Sequence, residues 1–157
     1  MWFRLRPATL DFASRHRFEN VVEIDAPAAK VFPLLTGERF TEWLPDLLSW
    51  EWTSPAPRGV GSTRVVRLRS LAVKERILAW DEGRRFAFAI EEITVPLVRR
   101  MTEDMVLEPL GDARCRFVYT VKYEPSPLMR LIHPIARRIF GSMFRKAAQN
   151  VANLARR

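Results

Sequence analysis

Four polar side chains stand at strand positions whose neighbours on the same face are apolar: Arg64, Glu75, Glu103 and Tyr119. Carboxyl groups set against apolar walls gain raised pKa values, which a proton-transfer catalyst working near neutral pH needs. A guanidinium beside them can hold an enolate or a carboxylate through paired hydrogen bonds. Glu75, Glu103 and Tyr119 are therefore the candidate catalytic residues. Arg64 is the candidate anchor for an anionic ligand end. The competing reading is structural: Arg64 neutralises one glutamate in an internal salt bridge, or a glutamate faces outward.

Other chemistries lack their residues. One cysteine, Cys115, and two histidines, His16 and His133, do not have metal-ligand spacing, so no metal site is expected. The histidines are far apart in the chain and are not expected to be catalytic. Gly59-Val60-Gly61 lacks the downstream Gly and Lys of a phosphate loop and runs into a strand, not a helix. No serine has a histidine at a recognisable triad spacing. No cofactor is expected.

The elements that must position the polar group follow from periodicity and turn chemistry. Phe18 to Ile24 alternates as a strand, and Asp25 and Pro27 are placed to start a short helix whose apolar face is Val31, Phe32, Leu34 and Leu35. A second short helix is expected over Glu38 to Trp43. Strands follow at hairpin spacing: Leu47–Thr53, Ser62–Arg69, Ala72–Trp80, Arg85–Glu91 with a looser Ile93–Leu97, Met101–Leu110 and Arg114–Tyr123. Leu128 to His133 reads as a short helical turn, because Pro134 best begins a new helix. From there Ile135, Ile139, Met143, Ala147, Val151 and Leu154 form an apolar stripe. The whole reads as an α+β domain, a curved antiparallel sheet of about six to seven strands gripping a long C-terminal helix.

Alternation also assigns faces. Phe117, Tyr119 and Val121 point toward the helix. So do Phe86 and Phe88, Met105, Arg64 with Val66, and Glu75 with Ile77. Ile139, Phe140 and Met143 supply the helical lid. The predicted ligand-binding set is thus Arg64, Val66, Phe86, Phe88, Met105, Phe117, Tyr119, Ile139, Phe140 and Met143. It describes an apolar bowl with a few polar groups, suited to a mostly hydrophobic small molecule with one polar end. The alternative is that these side chains fill the space themselves.

Several segments carry a resemblance. Ala26-Pro27-Ala28-Ala29 followed by Val31-Phe32, Trp43, and Gly59-x-Gly61-Ser62 are among them. So are Trp80-Asp81-Glu82-Gly83-Arg84-Arg85-Phe86, Tyr119-x-Val121-x-Tyr123 and the closing helix. Over roughly residues 18–155 the chain resembles the START-like, helix-grip superfamily, also called SRPBCC, the polyketide cyclase/dehydrase and lipid-transport group. The resemblance implies a helix-grip fold over 18–157, with residues 1–17 as an N-terminal extension. It leaves three functions open, because this fold hosts many. The first is a carrier or sensor of a lipid, polyketide-like aromatic or isoprenoid. The second is a cyclase or dehydratase using the cavity carboxylates. The third is a surface-acting relative of the chaperone activators or quinone-handling proteins. The paired Cys and His residues of Rieske oxygenase domains are missing.

Composition narrows partners and compartment. The 157 residues are 48% hydrophobic and 28% charged, which fits one globular domain with a real core. Net charge is +8, but 22 Arg against 4 Lys are scattered with no long run, which suits a solvated basic surface. No sequence-specific nucleic-acid binding is expected, since no reading helix or stacking platform is evident. Trp2-Phe3 with Arg4 and Arg6 has the composition of an interfacial anchor allowing weak contact with a membrane surface, or of a packed terminal arm. The N-terminus lacks the continuous apolar core of a signal peptide. With a single cysteine, a reducing cytoplasm is the expected compartment.

Overall fold

The computed structural model describes residues 1–157. Its strands are β1 (Phe3–Arg4), β2 (His16–Ile24), β3 (Leu47–Trp52), β4 (Thr63–Leu68), β5 (Ala72–Asp81), β6 (Arg85–Ile93), β7 (Val98–Pro109) and β8 (Cys115–Pro125). The helices are α1 (Ala28–Thr36), α2 (Phe40–Trp43) and α3 (Pro127–Ala155). The antiparallel sheet runs β2-β8-β7-β6-β5-β4-β3, with β1 paired to β6. This is the expected helix-grip architecture.

Alternation fixes the inner face. Along β8, Cys115, Phe117, Tyr119, Val121 and Tyr123 are buried while their neighbours are half-exposed. Phe86, Phe88 and Ile90 on β6, and Met105 and Leu107 on β7, are buried in the same core. Glycines with positive φ, Gly83 at 76° and Gly111 at 87°, turn the chain between β5 and β6 and between β7 and β8. The looser stretch expected over Ile93–Leu97 divides: Ile93 ends β6, and the chain bends before β7 starts at Val98.

The N-terminal arm is woven into this sheet. β6 and β7 pair only as far as Ala89↔Thr102, and beyond that point the arm enters the gap. Phe3 lies opposite Ile93, the Leu5 amide donates to the Glu91 carbonyl, and the Arg6 amide donates to the Arg99 carbonyl. Leu5 and Phe12 are buried. The Lys74 ammonium sits 4.6 Å from the centre of the Trp2 ring, so Trp2 is held against the sheet as a packed arm would be.

Three local expectations need correction. Asp25 does not cap α1. The N-cap is Pro27, which offers no side-chain bond, and the Asp25 carboxylate instead accepts from Arg114 Nε at 3.0 Å. Pro134 does not start a helix either. α3 begins at Pro127, with Ser126 Oγ accepting from the Met129 amide at 3.1 Å, and runs through Pro134 without a break. A proline inside a helix removes one backbone bond, but here the helix is fixed on both sides, by the Ser126 cap and by the buried Phe144–Ala155 segment.

The third correction is rotational. At 100° per residue, Ile139 and Ile135 lie about 80° and about 120° round the helix from Ala147. A stripe of four-residue steps drifts off the core face. Ile139 is 62% exposed and Ile135 66%, whereas Ala136 and Phe144 are buried. Leu128, Leu131 and Ile132 join the two isoleucines on the exposed side.

Candidate functional site

The polar group assembles across the inner face of neighbouring strands. Arg64 on β4 pairs in register with Glu75 on β5, and Glu75 pairs with Ile90 on β6. Glu103 on β7 lies opposite Phe88 on one side and Val121 on the other, two pairs along from Met105↔Tyr119 and so on the same face. Period-two alternation therefore brings Arg64, Glu75, Glu103 and Tyr119 to one wall, and all four are buried.

Arg64 is 1% exposed, and its Nε donates to Glu75 Oε2 at 2.5 Å. Its Nη2 has no hydrogen-bond partner. The guanidinium lies instead among ring faces, 4.6 Å from the centre of Phe40, 5.0 Å from Phe88 and 5.3 Å from Phe86. Weakly hydrated and planar, it regains from the aromatic quadrupoles part of what it loses in water. The internal salt bridge is thus the reading the structure supports for Arg64. Its charge is already matched by Glu75, and it does not line the cavity described below. The guanidinium therefore has its counter-charge within the protein, with Nη2 alone left unpaired.

Glu103 has a different environment. Tyr119 Oη donates to Glu103 Oε1 at 2.6 Å, and no cation lies within ion-pair distance of the carboxyl. Burial, reinforced by the nearby Glu75 charge, pushes Glu103 up to about 8, against the pull of the Tyr119 bond and of Arg64. It therefore carries a proton at neutral pH. Burial raises Glu75 as well, opposed by the adjacent guanidinium. Since arginine does not give up its proton, Glu75 is the ionised partner of that pair. Burial and both carboxyl groups hold the Tyr119 phenol well above its ordinary value.

Beside this wall lies a cavity of about 90 Å³. Val66, Phe88, Met105, Tyr119, Phe140 and Met143 line it, as do Glu75 and Glu103. Three others of the predicted set stand elsewhere: Phe86 and Phe117 are sealed in the packed core, and Ile139 faces solvent. The lining also includes residues that sequence reasoning left out of the ligand-binding set. Phe18, Met101 and Phe144 follow from the same alternation and helical face. Leu71, Leu97 and Met129 come from turns and the helix start, where no period exists to read.

The histidines are distant in sequence but adjacent in space. His16 lies opposite Tyr123 in the β2–β8 register. Tyr123 Oη and His133 Nε2 are 2.8 Å apart, and the two imidazole centres are 4.9 Å apart, edge to face. Burial, together with the positive charges of His133 and Arg137, lowers the His16 pKa. Tyr123 borders the cavity, so this cluster sits at its rim.

The sequence model of the family described as "Polyketide cyclase / dehydrase and lipid transport" matches residues 15–156. An uncharacterized protein of Mycobacterium tuberculosis is 28% identical over 106 residues, covering 66% of this chain and 63% of that protein, so the match spans less than two thirds of the relative. Among solved structures, a START superfamily protein from Mycobacterium smegmatis superposes with a TM-score of 0.75 at 13% identity, covering 90% of this chain and 97% of that one. An aromatase/cyclase from a Streptomyces species gives 0.71 at 17% identity, covering 90% and 94%. At such identities the structural likeness speaks for the fold. No helix is long and apolar enough to cross a membrane.

Proposed function

The chain belongs to the polyketide cyclase / dehydrase and lipid transport family, and from that premise we propose that it binds a hydrophobic small molecule in its internal cavity. One observation carries the reading. Of the 23 residues lining the cavity, 21 are hydrophobic, yet they leave open space between sheet and helix. Natural cores close-pack, and an apolar void of this size leaves room for an apolar occupant. Met101, Met105 and Met143 stand around it, and their unbranched side chains can repack around ligands of different outline. The free space is narrow, which favours a single acyl or isoprenoid chain or one aromatic ring.

Native mass spectrometry of the purified protein tests this. A co-purified small molecule released on denaturation is the expected result. A clean apo mass, together with no uptake of any apolar ligand, would refute it.

A second reading has its own support. A protonated carboxyl hydrogen-bonded to a phenol at the edge of an apolar cavity can move a proton, as a cyclase or dehydratase requires. Under this reading Glu103 is the acid–base group, Tyr119 positions it, and Glu75 sets its charge state. Loss of turnover in Glu103→Gln with ligand binding kept would favour it over a carrier. A third reading, a protein acting through its surface, draws on the exposed apolar side of α3 but gives the cavity no role.

A further inference from the structure

We propose that the polar wall of the cavity selects ligands bearing an uncharged hydrogen-bond acceptor, a carbonyl oxygen, and turns away carboxylates. This rests on the cavity being the binding site.

The inference comes from counting charges and donors where they stand. The wall has two carboxyl groups and one cation. The cation, Arg64, is committed to Glu75 at 2.5 Å and lies outside the lining. Glu75 and Glu103 are the only two lining residues that are not hydrophobic. The Tyr119 proton is committed to one oxygen of Glu103. Arg64 Nη2 is unpaired but Arg64 lies outside the lining, and Tyr123 Oη pairs with His133 Nε2, so the donor left for a ligand among the lining groups is the O–H of the Glu103 carboxyl, and a carbonyl oxygen is what accepts it. A carboxylate ligand would find no cation in the lining and would meet the Glu75 charge at short range in an apolar setting, where like charges repel most. An ammonium ligand would be matched only if Glu103 surrendered its proton, and would still have to leave water for an apolar cavity. The groups that face Glu103 and can alter its charge are Glu75 on β5, Arg64 on β4 and Tyr119 on β8.

Displacement of the neutral fluorophore N-phenylnaphthylamine tests this with four single-ring compounds: butylbenzene, benzylacetone, phenylbutyrate and phenylbutylamine. Each is titrated against the wild-type protein and Glu103→Gln from about pH 6 to about pH 9.5, a range that brackets the Glu103 titration near 8. Butylbenzene should bind equally throughout. Benzylacetone should weaken roughly five-fold as the pH rises through that value, the loss of one hydrogen bond. Phenylbutyrate should bind about ten-fold or more weakly than benzylacetone at neutral pH. Glu103→Gln keeps an N–H donor, so benzylacetone should still bind it, with no pH dependence.

Three results would overturn the proposal while leaving the cavity reading intact. They are benzylacetone as flat with pH as butylbenzene, phenylbutyrate as tight as benzylacetone, or phenylbutylamine tightest and strengthening with pH. If neither the fluorophore nor butylbenzene binds, the cavity reading and this inference fall together.

Discussion

Glu103→Gln should change how stability depends on pH, and the size of the change follows from the site. In the folded chain Glu103 titrates at about 8, against an ordinary value of 4.5. Below 4.5 the group is protonated in both folded and unfolded chains and contributes no difference. Between 4.5 and about 8 the folded chain holds a proton that the unfolded chain has released, so stability falls as pH rises. The slope is about 1.4 kcal/mol per pH unit, amounting to roughly 5 kcal/mol across the window, after which it levels off. Glutamine is nearly isosteric, does not titrate, and its amide oxygen can still accept from Tyr119 Oη. The variant should therefore gain on the wild type by about 1.4 kcal/mol for each unit between about pH 5 and about pH 8. Urea unfolding of both proteins at several pH values measures this. Taking the difference cancels His16, whose lowered pKa acts with the opposite sign. Parallel stability curves would show that Glu103 is ionised in the fold, and the charge assignment of the polar wall would be wrong.

Other substitutions test the remaining contacts. Arg64→Met should cost roughly 3–5 kcal/mol by leaving the buried Glu75 charge without its partner, and adding Glu75→Leu should restore most of it; chemical denaturation of the single and double variants decides, and equal instability in both would argue against a charge penalty. Phe117→Ala should cost roughly 3–5 kcal/mol, since Phe117 is fully buried in the packed core and does not border the existing void. A loss below about 1 kcal/mol in the same assay would mean the ring is poorly packed. Tyr119→Phe should lower stability by about 1 kcal/mol through the lost hydrogen bond to Glu103, again by denaturation.

What could be read from the sequence was what has a period. Two-residue alternation put Arg64, Glu75, Glu103 and Tyr119 on one wall and Phe117 toward the helix, and the structure agrees. A strand fixes its faces rigidly, so a single in–out assignment carries the whole element. The helix is less forgiving. Four-residue steps overshoot a full turn, and the error accumulated over two steps was enough to turn Ile139 into solvent. Long-range facts were out of reach for a different reason. Nothing in the local sequence says that Arg114 will take the Asp25 carboxylate, that His16 and His133 will meet, or that the first residues will fill the gap between β6 and β7. That Arg64 would meet Glu75 was also out of local reach, because register across two strands brings them opposite each other.

The central claim, that the space between sheet and helix is a binding site, is tested most directly by titrating N-phenylnaphthylamine into the wild type and into Met143→Trp. Met143 lines the cavity from α3 and is only partly buried, so a larger ring there can fill the void without disturbing the packed Ala147–Val151 segment beneath. The account predicts saturable single-site binding in the micromolar range to the wild type, consistent with about 25 cal/mol per Å² of apolar surface buried less the costs of association. It predicts that binding is lost in the variant while its unfolding midpoint is kept. Equal binding to both proteins would place the probe elsewhere and contradict the account.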